Sequence, residues 1–126
     1  KPVITQIIDK LDKSVEIVIA VGYKSEQVKS YVKNVFPRRD ITFVDIENFD
    51  GPGSGPGLSL LKCKEHLQTP FIFTSADTIV KESFVFNTLE ENWLGVSHVD
   101  MEDSLKYCLV KERNKYYKKK GKKREK

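Results

Sequence analysis

Apolar positions recur along this chain with two different periods, and the switch between them predicts its elements. Ile4, Ile7, Ile8 and Leu11 fall at helical spacing, so residues 3–13 read as an amphipathic helix. Residues 15–21 are nearly all apolar and β-branched, the pattern of a strand buried on both faces, as in a parallel sheet. Gly22 ends that strand. Ser25 stands where a side chain caps the next helix, along which Val28, Tyr31, Val32 and Val35 form one stripe. Pro37 stops this helix. A second strand follows at 41–46, then a glycine-proline loop at 51–57. Residues 58–67 read as a helix with Leu60, Leu61, Cys63 and Leu67 mostly inward. A third strand is expected at 70–75, closing at Asp77. Further on, residues 82–91 read as a helix, and 93–99 and 105–110 as two more strands. Alternating helices and strands argue for βαβ units: the α/β class, with a mainly parallel sheet and helices on both faces. The first element is a helix with no strand before it, so the chain is expected to start inside a domain.

Charge changes this picture at one end only. The formal net charge is +4, but ten of the 22 Lys/Arg and two of the 18 Asp/Glu lie in residues 111–126. The preceding 110 residues are left with 12 basic and 16 acidic groups and are mildly acidic. The division expected is therefore an α/β domain over residues 1–112 and a basic, solvated or disordered tail over 113–126. This uneven distribution argues against reading the whole chain as a nucleic-acid binder. The longest apolar runs are far too short to span a membrane, and the N-terminus shows no signal-peptide progression. Cys63 and Cys108 have no spacing that suggests zinc or a disulfide framework, and both read as core residues, which fits a reducing cytoplasm. His66 and His98 are isolated and read as neither metal ligands nor catalytic groups.

Two features fall where open α/β sheets bind ligands, at the carboxyl ends of the strands. The first is Gly51-Pro52-Gly53-Ser54-Gly55-Pro56-Gly57, with four of the chain's seven glycines. Glycines let backbone approach a ligand and take positive φ, while the prolines stiffen the loop. The helix after it would turn free N–H groups toward the loop, where Ser54 and Ser59 offer hydroxyls. The loop lacks the terminal Gly-Lys-Ser/Thr of a P-loop. The competing reading is a flexible surface linker. The second feature is Asp77, a carboxylate delivered by an apolar run and suited to a hard cation such as Mg²⁺. Its competing readings are a helix N-cap and a polar turn.

Four segments in order carry a family resemblance. Lys1-Pro2-Val3-Ile4 resembles the start of the first long helix of the sugar-phosphate nucleotidylyltransferases. Residues 17–28, through Val21-Gly22-Tyr23-Lys24, are similar to that family's second strand and its ending. Gly53-Ser54-Gly55-Pro56-Gly57-Leu58-Ser59 is similar to its Gly-Thr-Ala/Gly-x-Ala-Leu segment. Phe71-Ile72-Phe73-Thr74-Ser75-Ala76-Asp77-Thr78 is similar to its Phe-Leu-Val-x-Asn-Gly-Asp-Thr strand. Residues 93–99 and 107–110 resemble the strand pair that comes next, so the likeness covers residues 1–112.

The resemblance implies a three-layer, Rossmann-like fold of the nucleotide-diphospho-sugar transferase type, incomplete at its N-terminus. It implies transfer of a nucleoside monophosphate from a nucleoside triphosphate to a sugar 1-phosphate or another phosphorylated acceptor, such as phosphocholine, with release of pyrophosphate. By analogy Gly53, Ser54, Gly55 and Gly57 bind the nucleotide, Asp77 holds Mg²⁺, and Asp100 and Tyr107 lie on the sugar side of the pocket. Tyr23 is expected to support the site rather than touch substrate. The family's Gly-x-Gly-x-Arg loop precedes the point matched by Lys1-Pro2, so no catalytic residue is assigned and this chain alone is expected to be inactive. Pro56 and Ser59 depart from the residues usual at their positions, which leaves the choice of nucleobase open.

Three other readings stand beside this one. A non-catalytic nucleotide-binding module would keep the fold and lose the chemistry. A glycosyltransferase of related fold would normally carry Asp-x-Asp, whereas Ser75 stands where the first Asp would be. A third reading uses the tail, where Lys118-Lys119-Lys120 and Lys122-Lys123-Arg124 would contact phosphates and Tyr116 and Tyr117 would stack on bases. The plainer reading of the tail is a solvated end.

Overall fold

The computed structural model describes residues 1–79, together with the backbone of residues 109, 110, 117 and 118. The chain divides into two compact units, Lys1–Asn87 and Thr88–Lys126. In the first unit the elements run α1 (Val3–Asp9), β1 (Ile17–Val21), α2 (Ser25–Val35), β2 (Ile41–Asp45) and α3 (Pro56–Lys62), then a 3₁₀ turn at Lys64–His66. In the second unit β3 (Leu109–Val110) pairs antiparallel with β4 (Tyr117–Lys118). The strand expected at 105–110 is thus described at its last two residues. The second of these strands falls within the basic segment.

β1 and β2 pair in parallel, with Ile17 opposite Ile41 and Val21 opposite Asp45. Bonds from Ile17 N to Asp40 O (2.9 Å) and from Ile46 N to Val21 O (2.8 Å) extend the ladder at both ends. This register places Ile17, Ile19, Ile41 and Phe43 on one face, because side chains alternate along a strand. Ile8 of α1, Ile17 and Val32 of α2 form the buried cluster on that face, with Ile4, Leu11, Val28 and Phe36 packed against it. Both helices therefore cover one side of the parallel pair, and Thr5 and Tyr31 share a hydrogen bond of 2.8 Å between them. At the coarse level this is the α/β arrangement expected.

The ends of the elements depart from the sequence expectations for local reasons. α1 stops at Asp9, short of residue 13, because its last turn tightens. Lys10 N bonds Ile7 O and Leu11 N bonds Ile8 O, both at 3.1 Å. Asp12 then accepts from Ser14 N (2.9 Å) and Ser14 Oγ (2.6 Å), a turn that competes with further helix. These bonds, the side-chain one first, hold the Asp12 carboxyl below its usual value. Arg39 braces the same turn by donating to the carbonyls of Leu11 and Asp12 at 3.2 and 3.0 Å. Ser25 does not cap α2. Lys24 occupies that position in a left-handed conformation (φ 52°), and no side chain bonds the helix start.

The expectation of a third strand over residues 70–75 is corrected. Those residues lie outside every strand, and Phe71, Ile72 and Phe73 are 54%, 41% and 50% exposed. A short apolar run becomes a strand only where another strand completes its hydrogen bonds, and no described strand does so here. α3 begins at Pro56, two residues before the expected start, with proline at a position whose missing N–H costs nothing. Cys63 is buried as expected, whereas Leu61 faces solvent. The helix expected at 82–91 and the strand expected at 93–99 lie outside the described residues. Among those described, no helix is long and apolar enough to cross a membrane.

Candidate functional site

The candidate site is built from the carboxyl ends of β1 and β2. Val21 leads directly into Gly22, Tyr23 and Lys24, while β2 leads through Ile46 into Asn48, Phe49 and the glycine-proline loop. The two segments meet at Gly22. A Cβ there would stand 2.5 Å from Phe49 Cβ and 2.8 Å from its Cγ, so only glycine lets the chain after β2 come this close. The Phe49 and Tyr23 rings then lie 6.3 Å apart at 55°. The Lys24 ammonium sits 5.5 Å from the centre of the Tyr23 ring, within the range of a cation–π contact.

The loop has a defined backbone. Gly51 and Gly53 have φ of 83° and Gly55 of 137°, values that a side chain would oppose. Gly51 N bonds Asp50 Oδ1 at 2.9 Å, and Ser54 donates to Gly51 O from Oγ (2.6 Å) and N (3.2 Å). Asn48 Nδ2 reaches Pro52 O at 3.4 Å. Of the three glycines with positive φ, Gly51 is the one these side-chain bonds hold. Ser54 Oγ spends its proton inside the loop and offers a ligand only its lone pairs. Gly57 lies in the first turn of α3.

Asp77 is exposed, in a turn closed by Thr78 N to Ser75 O at 3.3 Å. Its expected setting at a strand end is therefore replaced by a turn, for the reason given for residues 70–75. Among the described residues no three His, Cys, Asp or Glu side chains gather as a metal site. Asp100, Tyr107 and His98 lie outside the described residues. His66 is half-buried beside Glu65, its Nε2 3.5 Å from Glu65 Oε1.

Two shallow depressions lie at the other end of the parallel pair, around Phe36, Pro37 and Arg39, with volumes of about 200 and 290 Å³. They face the amino end of β2, away from the strand ends where α/β sheets bind ligands. Arg39 lines both; its Nη1 and Nη2 donate to the carbonyls of Leu11 and Asp12, while its buried Nε has no hydrogen-bond partner among the described residues.

No protein-family model, curated protein or solved structure matches this chain. The site rests on the residues themselves. Gly53, Ser54, Gly55 and Gly57 fall together at the carboxyl end of the parallel pair. Phe49 and Asn48 were passed over in the sequence, where they sit in a polar stretch with no periodicity. The signal that points to them is an isolated aromatic residue immediately before a glycine-rich loop.

Proposed function

We propose that this chain is a nucleotidyltransferase-type nucleotide-binding domain. Its reaction class is transfer of a nucleoside monophosphate from a nucleoside triphosphate to a sugar 1-phosphate or similar phosphorylated acceptor, releasing pyrophosphate. The observation that carries this reading is the conformation of the glycine-proline loop at the carboxyl end of the β1–β2 pair. Gly51 is held inside the loop by Asp50 and Ser54, while φ of 83° at Gly53 and 137° at Gly55 turns backbone that carries no side chain toward the strand ends, as close contact with a ribose or base requires. The family resemblance of residues 17–28 and 53–59 supports the same reading.

In this reading the sheet extends to the three-layer, Rossmann-like form, with further helices over the second face. Val18, Thr42 and Val44 on that face are already half-buried. Gly53, Ser54, Gly55 and Gly57 border the nucleotide. Asp77 supplies one carboxylate to Mg²⁺, which suits an ion that takes few protein ligands and keeps waters and phosphate oxygens. When bound, Mg²⁺ neutralises phosphate charge. Asp100 and Tyr107 belong to the acceptor side.

Calorimetry with nucleoside triphosphates and Mg²⁺ tests the reading. Binding to the natural chain is expected, weakened in Asp77→Ala. A chain that binds no nucleoside triphosphate at millimolar concentration overturns it. Pyrophosphate release with a panel of phosphorylated acceptors checks the expectation that this chain alone is inactive; turnover at an ordinary enzymatic rate overturns that expectation.

A further inference from the structure

The residues assigned above offer a nucleotide backbone groups and one carboxylate, but no flat apolar surface for its base. We infer that Phe49 provides that surface, with Tyr23 as its side wall and Lys24 beside it for the nucleotide's negative charge. This inference rests on the nucleotide reading and adds the residues that grip the base.

Three observations carry it. First, the two aromatic side chains stand together in solvent, Tyr23 71% and Phe49 48% exposed. Both lie on segments leaving the carboxyl ends of the parallel strands, next to the loop. Aromatic rings 6.3 Å apart gain something from each other, but far less than from being covered by a third ring. Second, the backbone has been shaped to hold them there. Gly22 has no Cβ, and with one Phe49 could not occupy its place. Lys24, a residue with a Cβ, takes a left-handed φ of 52° directly after Tyr23, a conformation that side chains disfavour. Third, the charge is of the right sign. The Lys24 ammonium lies 5.5 Å from the Tyr23 ring centre, which leaves Phe49 as the ring with no cation over it. The rings are inclined at 55°, so a planar ligand lies face-on to one ring only. The occupant is therefore a heteroaromatic base stacked on Phe49, with its ribose toward the glycine loop. Stacking accepts any base, because every base has a π-face, so choice among bases falls to the loop.

Proton NMR titration of the full chain in Mg²⁺ tests this, using each of the four common nucleoside triphosphates and, separately, tripolyphosphate. Base protons of the bound nucleotide are expected to move upfield. Phe49→Ala should weaken nucleotide binding on the order of tenfold or more, the size set by stacking one base on one ring, and leave tripolyphosphate unchanged. Phe49→Trp should restore it. Phe49 is half exposed, so these variants remove no core side chain. Nucleotide binding that is unchanged in both Phe49→Ala and Tyr23→Leu overturns the platform while the nucleotide reading stands. A loss in Phe49→Ala that Phe49→Trp does not restore also overturns it. If the natural chain binds no nucleotide, the platform and the nucleotide reading fall together.

Discussion

Lys29 of α2 donates to Asp45, the last residue of β2, at 2.8 Å, and lies 3.4 Å from Glu26 one turn back on its own helix. The lysine side chain is only 18% exposed, while Asp45 is largely open to solvent. The pair fastens the helix to the strand end from which the candidate site departs.

The hydrogen bond from Lys29 to Asp45 raises the lysine above its ordinary value of 10.5. A raised folded-state value means that the stabilisation is fully present below pH 10.5 and is lost as pH rises through the folded value. Lys29→Met and Asp45→Asn should each lower the thermal midpoint slightly, and the double variant little further. The differences should shrink in strong salt and vanish at high alkaline pH. Thermal melts at neutral and alkaline pH check this.

Ile8 and Val32 close the core between the two helices and β1, and Val32 is completely buried. Ile8→Ala should cost about 2–5 kcal/mol, from lost burial plus the cavity left behind. Urea unfolding should show a lower midpoint with unchanged slope, the sign of altered stability rather than altered compactness.

Gly22→Ala places a methyl group 2.5 Å from Phe49 Cβ and should destabilise by about 1–3 kcal/mol. Phe49→Ala keeps that Cβ and should relieve only part of the clash, whereas Phe49→Gly removes the Cβ, Cγ and Cδ1 that crowd it. A double-variant cycle should therefore give a larger coupling with Phe49→Gly than with Phe49→Ala.

Cys63 is buried and lies at the end of α3, where burial pushes its thiol above the usual range. Alkylation at neutral pH should be much slower at Cys63 in the folded chain than in urea, as peptide mapping of the modified cysteines will show. Equal rates in the two conditions would remove Cys63 from the core.

Deleting residues 114–126 removes eight of the 22 Lys/Arg and should leave nucleoside triphosphate affinity unchanged by calorimetry. A large fall would move the nucleotide's phosphate contacts from the loop to the tail.

The sequence made some of this legible because the forces involved are local. The stripe Val28, Tyr31, Val32 and Val35 marked α2, Pro37 marked its end, and the branched run at 15–21 marked a strand, which forms over Ile17–Val21 with Ala20 exposed rather than buried on both faces. Of the four loop glycines that announced positive φ, those at 51, 53 and 55 have it, while Gly57 lies in the first turn of α3. Residues 70–75 show where local reading fails. Phe71, Ile72 and Phe73 have strand composition, yet a strand also needs a neighbour to complete its hydrogen bonds, and no described strand pairs with them.

The candidate site divides along the same line. Its glycine loop was visible as composition, since backbone freedom belongs to the residue itself. The meeting of Gly22 with Phe49, the tilt between Phe49 and Tyr23, and Lys24 beside the ring were not visible. They depend on how two segments more than 20 residues apart are brought together by the parallel pairing of β1 and β2. Periodicity and residue type set which segments become helix, strand and loop, because those preferences are satisfied within a few residues. Which side chains finally share a surface follows from long-range packing, where each contact depends on every element holding the two partners in place.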